Sequence, residues 1–568
     1  MNKIIRLLLV MGVVALASAC ESDFEPLPVE QYTIDFVFSK SDSNGVNAKN
    51  YLNTVYSQLL NGHNRVGGDY LDAATDDAVS SATTTTDVND LATGAYNAAS
   101  QVGSDMLWAN MYRNIRTATT FITNIEAVPL KEKLPNGVSM VDVWKSEARF
   151  IRAMHYFELL KRYGGVPLMG DKVLQLGDNV ELPRNTFEEC VNFIVSECDA
   201  IKDSLRSYPI GNPDVNGHVA TKEAALALKA RVLLYAASPL FNGGNIDGTN
   251  PLTGYPSYDA NRWKRAADAA KDFIDQNTYF SLVPDFKDVF IVPDNREVIF
   301  FRTGGISRSV ETNNGPVGFS SQNQGNGRTS PSQNLVNAFP MINGKPITDA
   351  SYDPANPYAN RDPRLSKTIL HNGSQWLTAF IETFEGGQHK PGGTIQQTKT
   401  SYYLRKFMGD FETTPNYDDT PHDWVVFRFA EILLNYAEAE NEFSGPTEEV
   451  YEMIRTIRAR AGILPGDDNQ YGLDPNMDKD AMRLVIQNER RIELAFEEHR
   501  YWDIRRWKIA TDVFSTPVEG LVIVRSGGSL NYTPVPVLTT DFETRRYLYP
   551  IVFDEVVKNG NMVQNPGW

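Results

Sequence analysis

The stretch Asn488 to Trp507, NERRIELAFEEHRYWDIRRW, constrains this fold more than any other part of the chain. Ile492, Ala495, Phe496 and His499 recur at three- and four-residue steps, which predicts a helix with one buried face. Charges fill the other positions: Glu489, Arg490, Arg491, Glu493, Glu497, Glu498 and Arg500. Arg490 with Glu493, and Glu497 with Arg500, stand one turn apart, where exposed opposite charges add a few tenths of a kcal/mol. The expectation is therefore a single helix whose charged face lies in water. Trp502 and Trp507 follow closely. Aromatic rings so close to arginines predict guanidinium–ring stacking that fixes the helix end onto a core.

The remaining sequence sets the bounds. A chain of 568 residues can bury a large core and form more than one domain. With 42% hydrophobic and 22% charged residues, it has the composition of a soluble globular protein. The net charge is −17, and removing residues 1–19 takes away Lys3 and Arg6 and leaves −19. That balance excludes nucleic-acid binding through a basic surface, and docking on anionic lipid through a basic patch. Three cysteines in such a length exclude a disulfide-built scaffold.

The N-terminus reads as an address. Lys3 and Arg6 precede an apolar run from Leu7 to Ala17, and small residues lead to Cys20. This is the pattern of a secretory signal, residues 1–19, too short to anchor across a bilayer. LASAC resembles a bacterial lipobox, with Ala17 where an aliphatic residue is usual. The resemblance implies lipidation at Cys20, and several acyl chains together give lasting attachment to the outer membrane. Glu21, Asp23 and Glu25 resemble a surface-export tract of Bacteroidetes lipoproteins. Pro26 and Pro28 keep residues 20–40 from forming helix, so this part reads as a tether.

From residue 41 onward, helical pairs are predicted near 46–127, 140–206, 218–276 and 425–461. Trp144 to Tyr163 is a strong example that stops at Gly164, Gly165 and Pro167. His155 within it reads as a packed core residue. Cys190 and Cys198 lie about 12 Å apart along one helix, beyond disulfide reach, and read as packing residues. Paired helices of this kind resemble tetratricopeptide repeats without a clean period. The fold expected is mainly α, a superhelical scaffold of helical pairs with a loop-rich insertion near 280–424 that carries short β pieces such as EVIFFR.

Several segments resemble one family. EARFIRAMHYFELLKRYGGVPL, ATKEAALALKARVLLYAASPLFNGG, YDPANPYANRDPRL, the Asn488–Trp507 stretch and the closing YLYPI and QNPGW are similar to the SusD/RagB family of Bacteroidetes surface lipoproteins. The resemblance runs from about residue 105 to the end. It implies one SusD-like domain over 41–568 that captures nutrients without cutting them. It also implies a SusC-like TonB-dependent outer-membrane transporter as partner and an oligosaccharide or polysaccharide as ligand. RagB-like relatives take oligopeptides instead.

Catalytic patterns are missing: no GxSxG, no HExxH and no Walker A loop occurs, and no histidines pair at i,i+4. Glu497, Glu498 and His499 are consecutive and point to different sides of a helix, which disfavours a metal. A glycosidase carboxylate pair among the many acids stays open as an alternative. No cofactor is expected, with a structural calcium ion in the acid-rich loops as the other possibility.

A glycan surface needs exposed rings beside amides and charged groups on loops. Residues 63–108 offer Arg65, Tyr70, Asp72 and Tyr96; 319–328 offer Phe319, Gln322, Asn323, Gln324, Asn326 and Arg328; and 371–390 offer Trp376 and Phe384. The resemblance favours the loop after the first helix and the loop after the EVIF strand, hence Arg65, Tyr70, Phe319 and Asn323. Each aromatic could equally anchor its own loop. Trp108 reads as core, whereas Trp376, in a polar loop, is the hardest to explain as core.

Overall fold

The computed structural model describes residues 33–210 and 218–568. The signal, Cys20 and most of the tether lie outside the described residues. Helix α1 (Val46–Ser57) packs on α2 (Trp108–Asn124), and α2 packs on α3 (Met140–Tyr163). The line continues through α4 (Phe187–Ile201), α5 (Lys222–Ala237) and α6 (Asn261–Gln276), each against the one before. Local chemistry sets the ends. Ser139 caps α3, and Gly164 ends it at φ 77°, a backbone angle that glycine adopts without strain. Thr186 and Glu189 form a reciprocal capping box on α4. Burial covers His155, Cys190, Cys198 and Trp108, as their spacing predicts.

The next helix to pack on α6 is α7 (Phe429–Ser444), so the chain leaves the scaffold after α6 and returns to the same place. Strand β1 (Val298–Arg302) pairs antiparallel with β2 (Trp424–Arg428), which ties the two ends of this insertion together. Helix α8 (Glu448–Ala461) and α9 (Lys479–Glu493) then pack on α7. The molecule is thus mainly helical, a scaffold of paired helices carrying short strands, as the sequence predicts.

The charged stretch departs from its expectation. It is two helices: α9 stops at Glu493, and α10 spans His499–Arg506. Between them Phe496 and Glu498 take φ of 63° and 62°, a left-handed conformation that side chains disfavour. Tertiary partners hold it. The Phe496 amide donates to Asp72 at 2.9 Å, and the Glu498 carboxylate accepts from Arg65 at 2.9 Å.

The charges do not face water either. Glu489, Arg490, Glu493, Glu497 and Arg500 are all buried. The helix-turn pairs that spacing suggests do not form, because each charge has a more distant partner in sequence. Arg428 bridges Glu297 at 2.8 Å, Glu493 at 2.7 Å and Glu497 at 2.7 Å. Arg364 bridges Asp362 at 2.7 Å, Glu489 at 2.7 Å and Glu493 at 2.8 Å. Arg458, Arg460 and Lys406 add contacts to Glu489, Glu297 and Glu497 at 2.9, 2.7 and 2.7 Å. Five cations here face five carboxylates, so the cluster is neutral overall. Neutrality matters because an uncompensated buried charge costs several kcal/mol.

Two satellite clusters extend it. Arg490 and Arg506 both hold Asp503, at 3.2 and 2.7 Å. Arg491 and Arg500 hold Asp76 at 2.7 and 2.9 Å. The expected ring stacking is present: the Arg506 guanidinium lies 4.8 Å from the Trp507 ring centre, and that of Arg162 lies 4.8 Å from Trp502.

Two measurements follow. Arg428→Met removes one cation from a balanced cluster, leaving five buried carboxylates to four cations, and is expected to lower stability by about 3–5 kcal/mol in urea unfolding; a loss within error would show that the cluster relaxes without it. Glu158 supplies a pH test. Burial alone would raise its carboxyl, but Lys161 and Arg162 outweigh that and hold it at about 2, against an ordinary 4.5. A folded-state value below the unfolded one gives stability that is present above pH 4.5 and lost as pH falls toward 2. The urea midpoint of the wild type should therefore fall more steeply across that window than the midpoint of Glu158→Gln.

Candidate functional site

The insertion presents a loop face built from residues 315–328 and 371–400. Its backbone is folded tightly on itself. Gly325 donates to Pro316 at 3.1 Å and Gly327 to Gly315 at 2.9 Å. A side chain at Gly325 would meet the Gly315 carbonyl oxygen at 2.0 Å, so only glycine permits this approach. Asn323 clamps the loop: its amide donates to the Pro415 carbonyl at 3.0 Å and accepts from the Tyr417 amide at 3.1 Å.

Beside it stands a hairpin, β3 (Gln375–Trp376) and β4 (Ala379–Phe380). Its two turn residues, Leu377 and Thr378, have φ of 47° and 64°. Positive φ at both positions matches the twist of the flanking strands. Trp376 pairs with Ala379, and Gln375 with Phe380. Cross-strand partners share a face, and successive residues alternate faces. Trp376 therefore turns inward while Gln375 and Phe380 turn outward together. The Trp376 indole is wholly buried and donates to the Tyr417 hydroxyl at 2.9 Å. The Arg405 guanidinium lies 5.1 Å from its ring centre. Phe380, by contrast, is 70% exposed.

Phe319 is half-buried, and its ring lies 4.7 Å from that of His389. His389 in turn accepts from the Glu382 amide at 2.9 Å, two residues beyond Phe380. Burial draws His389 down to about 4, so the imidazole is neutral near pH 7. The Gln388 side chain donates to Gly318 at 2.9 Å, joining the two loops. Ser320, Ser321, Gln322, Gln324, Asn326, Gln375 and Gln388 are exposed around the two phenylalanines. With Glu382 paired to Arg525 and Glu385 to Lys390, charge on these loops is balanced, and the rings and amides can stack on an apolar face and trade hydrogen bonds with hydroxyls.

Other residues singled out in the sequence serve the fold. The Tyr70 ring is fully buried, stacks on Phe407 at 5.4 Å, and its hydroxyl lies 2.8 Å from His63. Burial, with His422 nearby, draws His63 down to about 3. Asp72 is fully buried, and burial together with Asp77 pushes its carboxyl well up. Arg65 holds Asp105 at 2.9 Å as well as Glu498. Arg328 holds Asp69 at 2.8 Å. Tyr96 stacks on Trp568 at 5.3 Å, and Phe384 lies 3.8 Å beneath the Arg525 guanidinium. Tyr70, Asp72, Asn323 and Trp376 thus have no surface to offer a ligand, which corrects the sequence expectation. The reason is common to all four: a loop that must hold its shape turns a large or polar side chain inward to hold it. Phe319 keeps an open ring. Phe380 was missed, although the pattern Gln-Trp-Leu-Thr-Ala-Phe already places it opposite Gln375, on the face away from Trp376, across a two-residue turn. Among the described residues no group of three or more His, Cys, Asp or Glu side chains is arranged to hold a metal ion.

A helical scaffold that holds out a preformed loop face defines a binding protein in outline. The family model of the SusD family matches residues 296–568, and one described as "Starch-binding associating with outer membrane" matches residues 35–234. The chain belongs to the SusD/RagB family. It is 24% identical over 474 residues to SusD-like protein P2 of Formosa agariphila, covering 81% of this chain and 80% of that protein. A SusD-like protein from Bacteroides fragilis superposes with a TM-score of 0.75 at 26% identity, over 95% of this chain and 100% of that one. A laminarin-binding SusD-like protein superposes with a TM-score of 0.60 at 18% identity, over 92% and 99%.

The buried and exposed rings make opposite predictions. Trp376→Ala is expected to lower stability by about 3–5 kcal/mol in urea unfolding. Phe380→Ala should stay within about 0.5 kcal/mol of the wild type. Equal losses at both positions would contradict the assigned orientations.

Proposed function

We propose that this protein is a surface glycan-binding lipoprotein. It captures oligosaccharides or polysaccharides on the loop face and delivers them, uncut, to a SusC-like TonB-dependent outer-membrane transporter. Lipid on Cys20 moors it to the outer membrane. The observation that carries the reading is the outward pair Gln375 and Phe380 beside the half-open Phe319, set among exposed amides. A sugar ring has an apolar face for a phenyl ring and hydroxyls for amides, and a neutral surface suits a neutral chain. The family description and the laminarin-binding neighbour support the same ligand class.

Affinity electrophoresis tests it. The protein should be retarded in gels containing at least one of starch, laminarin, xylan or galactomannan. The double variant Phe319→Ala and Phe380→Ala should lose about tenfold in affinity, roughly 1.4 kcal/mol. No retardation in any gel, with peptides co-purifying instead, would overturn the carbohydrate reading. Co-purification with a TonB-dependent barrel tests the partner.

A further inference from the structure

A second cleft lies on the helical side of the molecule, away from the residues of the loop face. It measures about 660 Å³ and is bounded by the segment after α5, by α7 and α9, and by the end of α10. That volume lies in the range of small-molecule sites. Tyr258, 61% exposed, stands at its edge, with Leu484, 67% exposed, among the other lining residues.

The tyrosine is exposed without being loose. Gly243, at φ 79°, lets the chain pass so close that a side chain there would meet the Tyr258 amide nitrogen at 2.3 Å. Gly244 is similarly pressed against Pro239, and its carbonyl accepts from Lys508 at 2.7 Å. Tyr255 donates to Phe241 at 2.7 Å, closing the same loop. An aromatic ring on a fixed backbone at the edge of a cleft is a preformed stacking platform.

The polar lining is nearly self-satisfied. Glu442 is held by Arg483 at 2.7 Å and by Lys479 at 3.5 Å. Glu438 is held by Arg506 at 2.7 Å and accepts from the Trp507 indole at 2.7 Å. No net charge is left to attract an ion. One group remains over: Asn441, fully buried, donates to the Lys479 carbonyl at 3.0 Å, and its side-chain oxygen has no partner. That oxygen has no surface open to the cleft, so the half-buried Gln487 amide is the group a ligand hydroxyl can reach.

We infer that this cleft is a second carbohydrate site, taking a neutral sugar unit that stacks on Tyr258 and hydrogen-bonds to the Gln487 amide. The inference rests on the carbohydrate reading of the chain, and the experiment separates the two. Hydrogen-exchange mass spectrometry of the full chain is run with oligosaccharide mixtures from acid hydrolysis of starch, laminarin, xylan and galactomannan. Saturable protection is expected in two places, residues 315–328 with 371–390, and residues 239–260 with 479–487. Tyr258→Ala should weaken the second protection at least tenfold and leave the first unchanged; Phe380→Ala should do the reverse. Protection of the loop face alone, or cleft protection insensitive to Tyr258→Ala, overturns the second site and leaves the proposed function standing. Protection in neither place overturns both.

Discussion

The structure depends on a neutral knot of buried ion pairs centred on Arg428. Its carboxylate partners come from the start of the insertion, Glu297, from the last residue of α9, Glu493, and from the turn after it, Glu497. Arg364 brings in the middle of the insertion, and Arg458 and Arg460 bring in α8. Hydrophobic packing is non-directional, so it could join these segments in several registers. A buried guanidinium tolerates only the arrangement that meets all its partners. The knot therefore fixes where a long loop-rich excursion leaves the scaffold and returns, and the loop face inherits its rigidity from that junction.

On the loop face, the largest side chains divide by direction. Trp376 and Asn323 point into the protein and hold the loops. Phe380, Gln375 and part of Phe319 point out. The inward set supplies the shape and the outward set supplies the chemistry. A flexible loop would have to be ordered on binding, at a cost of about 0.5–1.5 kcal/mol per side chain. Clamping by Asn323 and by the Trp376 anchor places that ordering in the folding step. The cleft beside Tyr258 repeats the arrangement, with a glycine pair in place of the buried tryptophan.

Much of this was legible beforehand. The helices that build the scaffold have apolar residues at regular steps, capping residues at their starts and glycine or proline at their ends. Such signals act over a few residues, so α3 could be read nearly to its last turn. The insertion was legible only as a change of texture, and its strands only as short fragments. The charged stretch was misread for a physical reason. Period and composition alone cannot distinguish a solvated charged helix from one that meets five or six distant arginines and acids inside the protein. Trp376 failed in the same way: a polar neighbourhood in sequence became a buried ring packed on Phe411 and Tyr417 beside the Arg405 guanidinium.

The sequence by itself determined the family, the helical scaffold and the place of the insertion, because local periodicity and end signals survive without knowledge of partners. Tertiary structure alone decided which charges are buried, which aromatic rings are anchors and which are open. Those outcomes turn on pairings such as Arg428 with Glu493 and Gln375 with Phe380. Such contacts exist only once distant segments, or the two sides of a turn, have met.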